Sequence, residues 1–330
     1  MKLGVLSASL ASKPVEEMLS YLSGLGVEAV ELGTGGYTND AHTKPEELLA
    51  DKAKLAEYKK LFPKYNIEIS ALSVHGNAVS PDKDFAKLSH EKFETTCKLA
   101  NELGVETVIT FSGCPGGSPE DKMPNWVTCP WPEDFLKVLD YQWNDVLIPY
   151  WQKTSEIAKS YGINKIAFEI HPGFCVYNPE TMLKIRAAVG DCLGANFDPS
   201  HLIWQGIDPT AAIKELGTKG AIFHFHAKDT KIDKYNTAVN GVLDTKHYGD
   251  EINRAWVFRT VGFGNDLAYW RDIASNLRLA GYDKVMSIEH EDSLMTPMEG
   301  LTHAVRFLQN SIIKEHLLFE HSATFLYTLF

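Results

Sequence analysis

No apolar run in this chain reaches the roughly 20 residues that a bilayer-spanning helix needs, so a membrane anchor is not expected. Positive charge is scarce too. The 32 Lys and Arg face 43 Asp and Glu, a net charge of −11, and no stretch packs basic side chains densely enough to hold a phosphate backbone. Nucleic acid is therefore not an expected partner. Cys97, Cys114, Cys129, Cys175 and Cys192 form no CxxC pair and leave an odd count, which fits reduced thiols in a cytoplasmic protein. The glycines of GFG at 262–264 lack the strand, Gly-rich turn and helix of a nucleotide fingerprint. The opening MKLGVLSASLASKPVEEML has too short an apolar stretch for a signal peptide and reads as a strand followed by an amphipathic helix.

What the chain has is an ordinary globular composition, 44% hydrophobic and 23% charged over 330 residues, and a regular alternation of strand-like and helix-like periods. Strands are expected at 3–7, 29–32, 67–74, 107–111, 165–170, 194–197, 221–226 and 285–289. Helices are expected at 14–25, 45–62, 87–103, 133–161, 179–189, 209–216, 267–279 and 297–314, several with proline just inside the start. The phrases LGVE, YNIE, LGVE, YGIN and GYDK lead into five of the strands as helix ends followed by sheet entry. This favours an α/β fold of one domain, a (β/α)8 barrel over residues 1–314, above a doubly wound sheet. The apolar tail at 315–330 has no assigned role. Two connections, 112–132 and 227–266, are too long for simple turns and read as lids or substrate-binding loops.

Four apolar runs end in a metal ligand: AFEIHPG with Glu169, GANFDPSH with Asp198, IFHFHAKD with His226 and MSIEHED with Glu289. If these are barrel strands, the four side chains meet at the carboxyl-end mouth, where such barrels place their active sites. A carboxylate inside an apolar run is costly to bury alone; a structural ion pair or a bound cation would each resolve it. Recurrence at four strand ends favours the cation, and an oxygen-rich set suits Mn²⁺ or Mg²⁺ better than a structural zinc. Asp198 could instead only cap a helix. His224 points to the same face as His226 but lies deeper, as a core histidine. Around the mouth, His75, His201, Lys228 and Arg259 are candidate substrate contacts, and Trp126 with Trp131 a candidate sugar-stacking wall. Lys228 and Asp229 could equally hold the lid or form a solvated pair.

The motifs SVHGN, TFSGCPG, PNWVTCPWP, FEIHPGFCVYNPET, NFDPSHLIWQGIDP, HFHAKD, WVFRTVGFG and SIEHEDSLM resemble those of the xylose isomerase-like TIM-barrel superfamily, in its sugar phosphate isomerase/epimerase branch. The resemblance runs to about Leu308. It implies a divalent ion, Mn²⁺ or alternatively Mg²⁺ or Co²⁺, held by Glu169, Asp198, His226 and Glu289. It further implies that Glu169 and Glu289 act as acid and base on opposite faces of a keto-sugar, through a metal-stabilised enediolate, with His201 and Arg259 on the substrate. The long, aromatic loops are more like those of relatives acting on 3-keto-glycosides, some of them lyases or deglycosidases.

The expected function is thus a metal-dependent sugar isomerase or epimerase. Its rival is a lyase releasing the aglycone of a 3-keto-glycoside, because a β-oxygen can leave from the same deprotonated intermediate. A non-catalytic sugar-binding protein is the alternative of a different class. A DNA-repair endonuclease on the same barrel would want a larger His-rich zinc set and a basic groove, and this acidic chain offers neither. A small sugar is the expected partner, and self-association is left open.

Overall fold

The structure is a computed structural model describing residues 1–315. Eight parallel strands close a barrel: β1 (Lys2–Leu6), β2 (Ala29–Gly36), β3 (Glu68–His75), β4 (Thr107–Thr110), β5 (Lys165–Glu169), β6 (Leu193–Phe197), β7 (Ile222–Ala227) and, after a hairpin, β10 (Val285–Ile288) pairing back onto β1. All eight sequence-expected strands are present, and every neighbouring pair follows chain order, as right-handed βα units require. The tail reading lies, apart from Glu315, outside the described residues.

Strand parity determines what each side chain meets. Val30, Leu32, Leu72, Phe168, Ala195, Phe197, Phe225, Met286 and Ile288 point outward into the large apolar layer under the helices. The opposite parity points inward, where Ala71, Ile109 and Ala167, joined by Phe223 at the irregularity between β6 and β7, fill a small apolar plug. Above that plug the inward positions turn polar: Glu31, Ser73, Asn196, His226 and Ser287 are fully buried. A register irregularity where β6 meets β7 shifts His224 opposite Asn196, and its Nδ1 lies 3.1 Å from Asn196 Oδ1.

The connection at 227–266, expected as a lid or substrate-binding loop, has secondary structure of its own. It folds into an antiparallel hairpin, β8 (Asp229–Ile232) against β9 (Trp256–Arg259), with a helix at Lys234–Asn240 between them. Its polar excursion and short strands hid the pairing. Asp229 anchors the return of the hairpin: Oδ2 accepts from the backbone N–H groups of Gly262, Gly264 and Asn265 and from Trp270 Nε1. Gly264 is required there, since a Cβ would lie 2.5 Å from Asp229 Oδ1. The helix expected at 45–62 breaks at Asp51, whose side chain caps the Lys52–Lys64 helix. The one expected at 133–161 carries a π-helical stretch at Tyr141–Leu147 between Asp134–Asp140 and Ile148–Ser160. Among the described residues no helix is long and apolar enough to cross a membrane.

Candidate metal centre

Glu169, Asp198, His226 and Glu289 converge at the carboxyl ends of β5, β6, β7 and β10, each offering a ligand atom within 4.8 Å of the others. His226 Nδ1 is 3.1 Å from Glu289 Oε2 and 3.6 Å from Glu169 Oε2. Yet His226 Nδ1 and Asp198 Oδ2 are buried without a well-formed hydrogen bond. Acceptor atoms facing one another out of water repel, and beyond the Lys228 ammonium beside Asp198 and Glu289 a shared divalent cation would offset that repulsion. The donors, three carboxylates and one imidazole, fit a hard or borderline divalent ion.

Asp198 serves two purposes. Its Oδ1 accepts from the backbone N–H of Ser200, capping the short helix Pro199–Trp204, while Oδ2 faces Lys228 Nζ at 3.0 Å and His201 Nε2 at 3.4 Å. The capping and ligand readings of this residue are therefore compatible. Burial, followed by the negative charges of Glu289 and Glu169, lifts its carboxyl to about 7 against the pull of Lys228. Burial also raises Glu169, but the imidazole of His75 and hydrogen bonds from His201 and His75 outweigh it and hold this carboxyl well below its ordinary range. His75 Nε2 stands 2.8 Å from Oε2 and His201 Nε2 3.0 Å from Oε1.

Lys228 continues the inward parity of β7 and is almost wholly buried. Its ammonium reaches Asp198 Oδ2 at 3.0 Å, Glu289 Oε2 at 2.7 Å and Glu291 Oε2 at 2.7 Å, and lies 4.7 Å above the ring of Phe258. Beside it opens a cavity of about 370 Å³ lined by His171, Tyr248, Arg254, Val257, Phe258, Glu291 and Ser293. Tyr248 stacks on Phe258 at 5.8 Å, and His171 lies 3.9 Å from the ring of His201. An aromatic wall and polar tips thus border the ligand cluster, as expected of a small-molecule site.

The profile of the xylose isomerase-like TIM barrel matches residues 19–311. The chain belongs to that family. The uncharacterized protein YfiH of Bacillus subtilis (strain 168) is 42% identical over 314 residues, covering 94% of this chain and 99% of that protein. Among solved structures, the probable 3-DHS dehydratase AsbF of Bacillus anthracis aligns with a TM-score of 0.64 at 17% identity, over 94% of this chain and 99% of that one. A D-tagatose 3-epimerase-like protein aligns at 0.60 with 22% identity, over 94% and 97%. At those identities the two structures speak for the shared barrel.

Within this xylose isomerase-like barrel the remaining sequence candidates divide. His75, His201 and Lys228 touch the ligand cluster directly. Arg259 does not line the 370 Å³ cavity; its Nε donates to Asp292 Oδ2 at 3.0 Å, whereas Arg254 does line it. Trp126 lines a separate cavity of about 290 Å³ with Trp143 and Tyr177, and Trp131 is 75% exposed, so the two do not form one wall at the site. Asp229 anchors the return of the hairpin, and neither it nor Lys228 is a solvated charge. His224 is a buried core histidine.

Sequence reasoning missed Glu31, the fully buried carboxylate across the barrel from His226, and the cavity residues Tyr248, Arg254 and Phe258. Glu31 carried a usable signal, a charge inside the apolar run Ala29-Val30-Glu31-Leu32. It sits inside β2, two residues past its start, rather than at the carboxyl end where barrel sites are expected.

Proposed function

We propose that this protein is a divalent-metal-dependent isomerase or epimerase acting on a sugar or keto-sugar. The observation that carries the reading is the convergence of Glu169, Asp198, His226 and Glu289 beside a cavity of about 370 Å³. Glu169, Asp198, His226 and Glu289 would hold the ion, Mn²⁺ by the chemistry of the set, with Mg²⁺ or Co²⁺ as substitutes. When bound, such an ion supplies positive charge that stabilises negative charge developing on a carbonyl oxygen.

The chain's own groups account for the proton transfers. Glu169 is held ionised by His75 and His201 and so can accept a proton from the carbon beside a carbonyl. Glu289 is the second carboxylate: ionised itself, it accepts from the Lys228 ammonium at 2.7 Å, and a proton passed from that ammonium to Glu289 would be the one returned to carbon. Delivery to the opposite face inverts the centre, and delivery to the neighbouring carbon isomerises it. The Tyr248–Phe258 stack offers an apolar face to a sugar ring, while Arg254, Glu291 and Ser293 offer polar tips to hydroxyls.

The test is to incubate Mn²⁺-loaded protein with free ketoses and 3-keto-glucosides in D₂O and follow both by NMR. Deuterium uptake with the glycosidic bond intact supports epimerisation or isomerisation. Loss of the aglycone would replace this reading with elimination, the reaction class of the dehydratase-like fold neighbour. Absence of exchange with either class would refute it. Glu289→Gln should abolish exchange in an enzyme, whereas in a sugar-binding receptor it would only weaken binding.

A further inference from the structure

The barrel axis between β2 and β7 holds a polar arrangement that the proton-transfer scheme does not use. Glu31 presents both carboxylate oxygens to one ring nitrogen, with His226 Nε2 at 3.0 Å from Oε1 and 2.9 Å from Oε2. The same carboxylate accepts from Ser287 Oγ at 2.8 Å and from Ser73 Oγ, so β2, β3, β7 and β10 all bear on it. Glu31, Ser73, Ser287 and His226 have no solvent exposure.

A neutral imidazole has one donor and one acceptor nitrogen. An acceptor-only carboxylate facing Nε2 demands that Nε2 carry the proton, which leaves the lone pair on Nδ1. That nitrogen is the one facing Glu289 and Glu169, and it has no well-formed hydrogen bond. The two serine hydroxyls keep Glu31 from rotating away, so ring orientation and tautomer are set together.

We infer that Glu31 is a positioning residue that commits His226 to bind a divalent cation through Nδ1, with Ser73 and Ser287 as its supports. The inference rests on the reading of His226 as a ligand. The arrangement also explains why a costly buried carboxylate lies inside the barrel.

The deciding measurement uses the unaltered protein. In ¹⁵N-histidine-labelled protein loaded with diamagnetic Zn²⁺, long-range ¹H–¹⁵N correlation spectra should show His226 with a protonated Nε2 and a metal-shifted, unprotonated Nδ1. Zinc bound through Nε2, with the proton on Nδ1, would overturn the role of Glu31 while leaving the metal centre intact. Failure of Zn²⁺ to perturb His226 at all would overturn the metal centre itself, and the proposal with it. As a second arm, Glu31→Gln should weaken Zn²⁺ and Mn²⁺ binding by about 10–100-fold, the usual effect of losing a partner of a ligating histidine. Its circular dichroism spectrum should be unchanged. A Glu31→Gln protein that melts earlier but binds both ions like the parent would show that Glu31 merely supports the fold.

Discussion

Lys228→Met is the most revealing single substitution. One ammonium stands against four carboxylates, those of Glu169, Asp198, Glu289 and Glu291, three of which it touches within 3.0 Å. Methionine keeps the length and removes the charge. Breaking a buried ion pair from one side typically costs about 3–5 kcal/mol, because the surviving charges stay buried without compensation. For a chain of this size that corresponds to a melting temperature lower by roughly 4–7 °C. In EDTA, therefore, the variant should melt several degrees below the parent. With metal present the order of affinities should reverse. Lys228 pairs with Asp198 Oδ2 and donates a hydrogen bond to Glu289 Oε2, two oxygens of the candidate ligand set, and a hydrogen bond to a charged group is worth about 1.5–3 kcal/mol. Freeing even one of them should tighten Mn²⁺ binding about tenfold or more. Calorimetric titration and thermal melts, each with and without Mn²⁺, measure both effects, and added Mn²⁺ should stabilise the variant more than the parent. If Lys228→Met melts with the parent in EDTA and binds Mn²⁺ no more tightly, the picture of this lysine as the internal counter-charge of the metal centre is wrong.

Asp198 and Asp229 are open to separate tests. Asp198 holds its proton up to about 7 through burial and its carboxylate neighbours, so an ion that takes its place must expel that proton. Mn²⁺ affinity should then rise about tenfold per pH unit below 7, and titrations at pH 6 in buffers of different ionisation enthalpy should register proton release; none at that pH would contradict the assignment. The sign for stability is opposite. The unfolded chain gives up this proton near 4 and the folded one near 7, so Asp198 makes the metal-free protein less stable as pH rises across that interval. Asp229→Ala should strip acceptors from the N–H groups of Gly262, Gly264 and Asn265, each orphaned donor costing about 1–3 kcal/mol. Hydrogen exchange should speed up across 229–265 while Mn²⁺ affinity holds; exchange spread evenly over the barrel would refute the anchor role.

Much of this molecule was legible before any coordinates. The alternation of apolar strands with amphipathic helices demanded a parallel sheet covered on both faces, and the eight strands lie where that pattern put them. Charges at the ends of the Glu169, Asp198, His226 and Glu289 runs were visible because an apolar run tolerates an ionisable residue only for a reason. The barrel brought those four together, since strand ends of a closed sheet share one mouth.

Other features belong to the tertiary structure because they depend on contacts between residues distant in sequence. Glu31 and His226 are 195 positions apart, and only closure of the barrel makes them partners. The hairpin between β7 and β10 is held by Asp229 rather than by a strong local signal, so its pairing and the placement of Tyr248 over the cavity could not be read from propensity. Arg254 and Arg259 are alike in sequence terms, five residues apart on one segment; packing against Asp292 removes one from the cavity and leaves the other lining it. Local pattern thus determined the elements and the identity of the candidate ligands. Long-range closure decided which nitrogen of His226 faces the other candidate ligands, which ammonium offsets the carboxylates and which side chains line the cavity, because each of these is a distance across the barrel rather than a spacing along the chain.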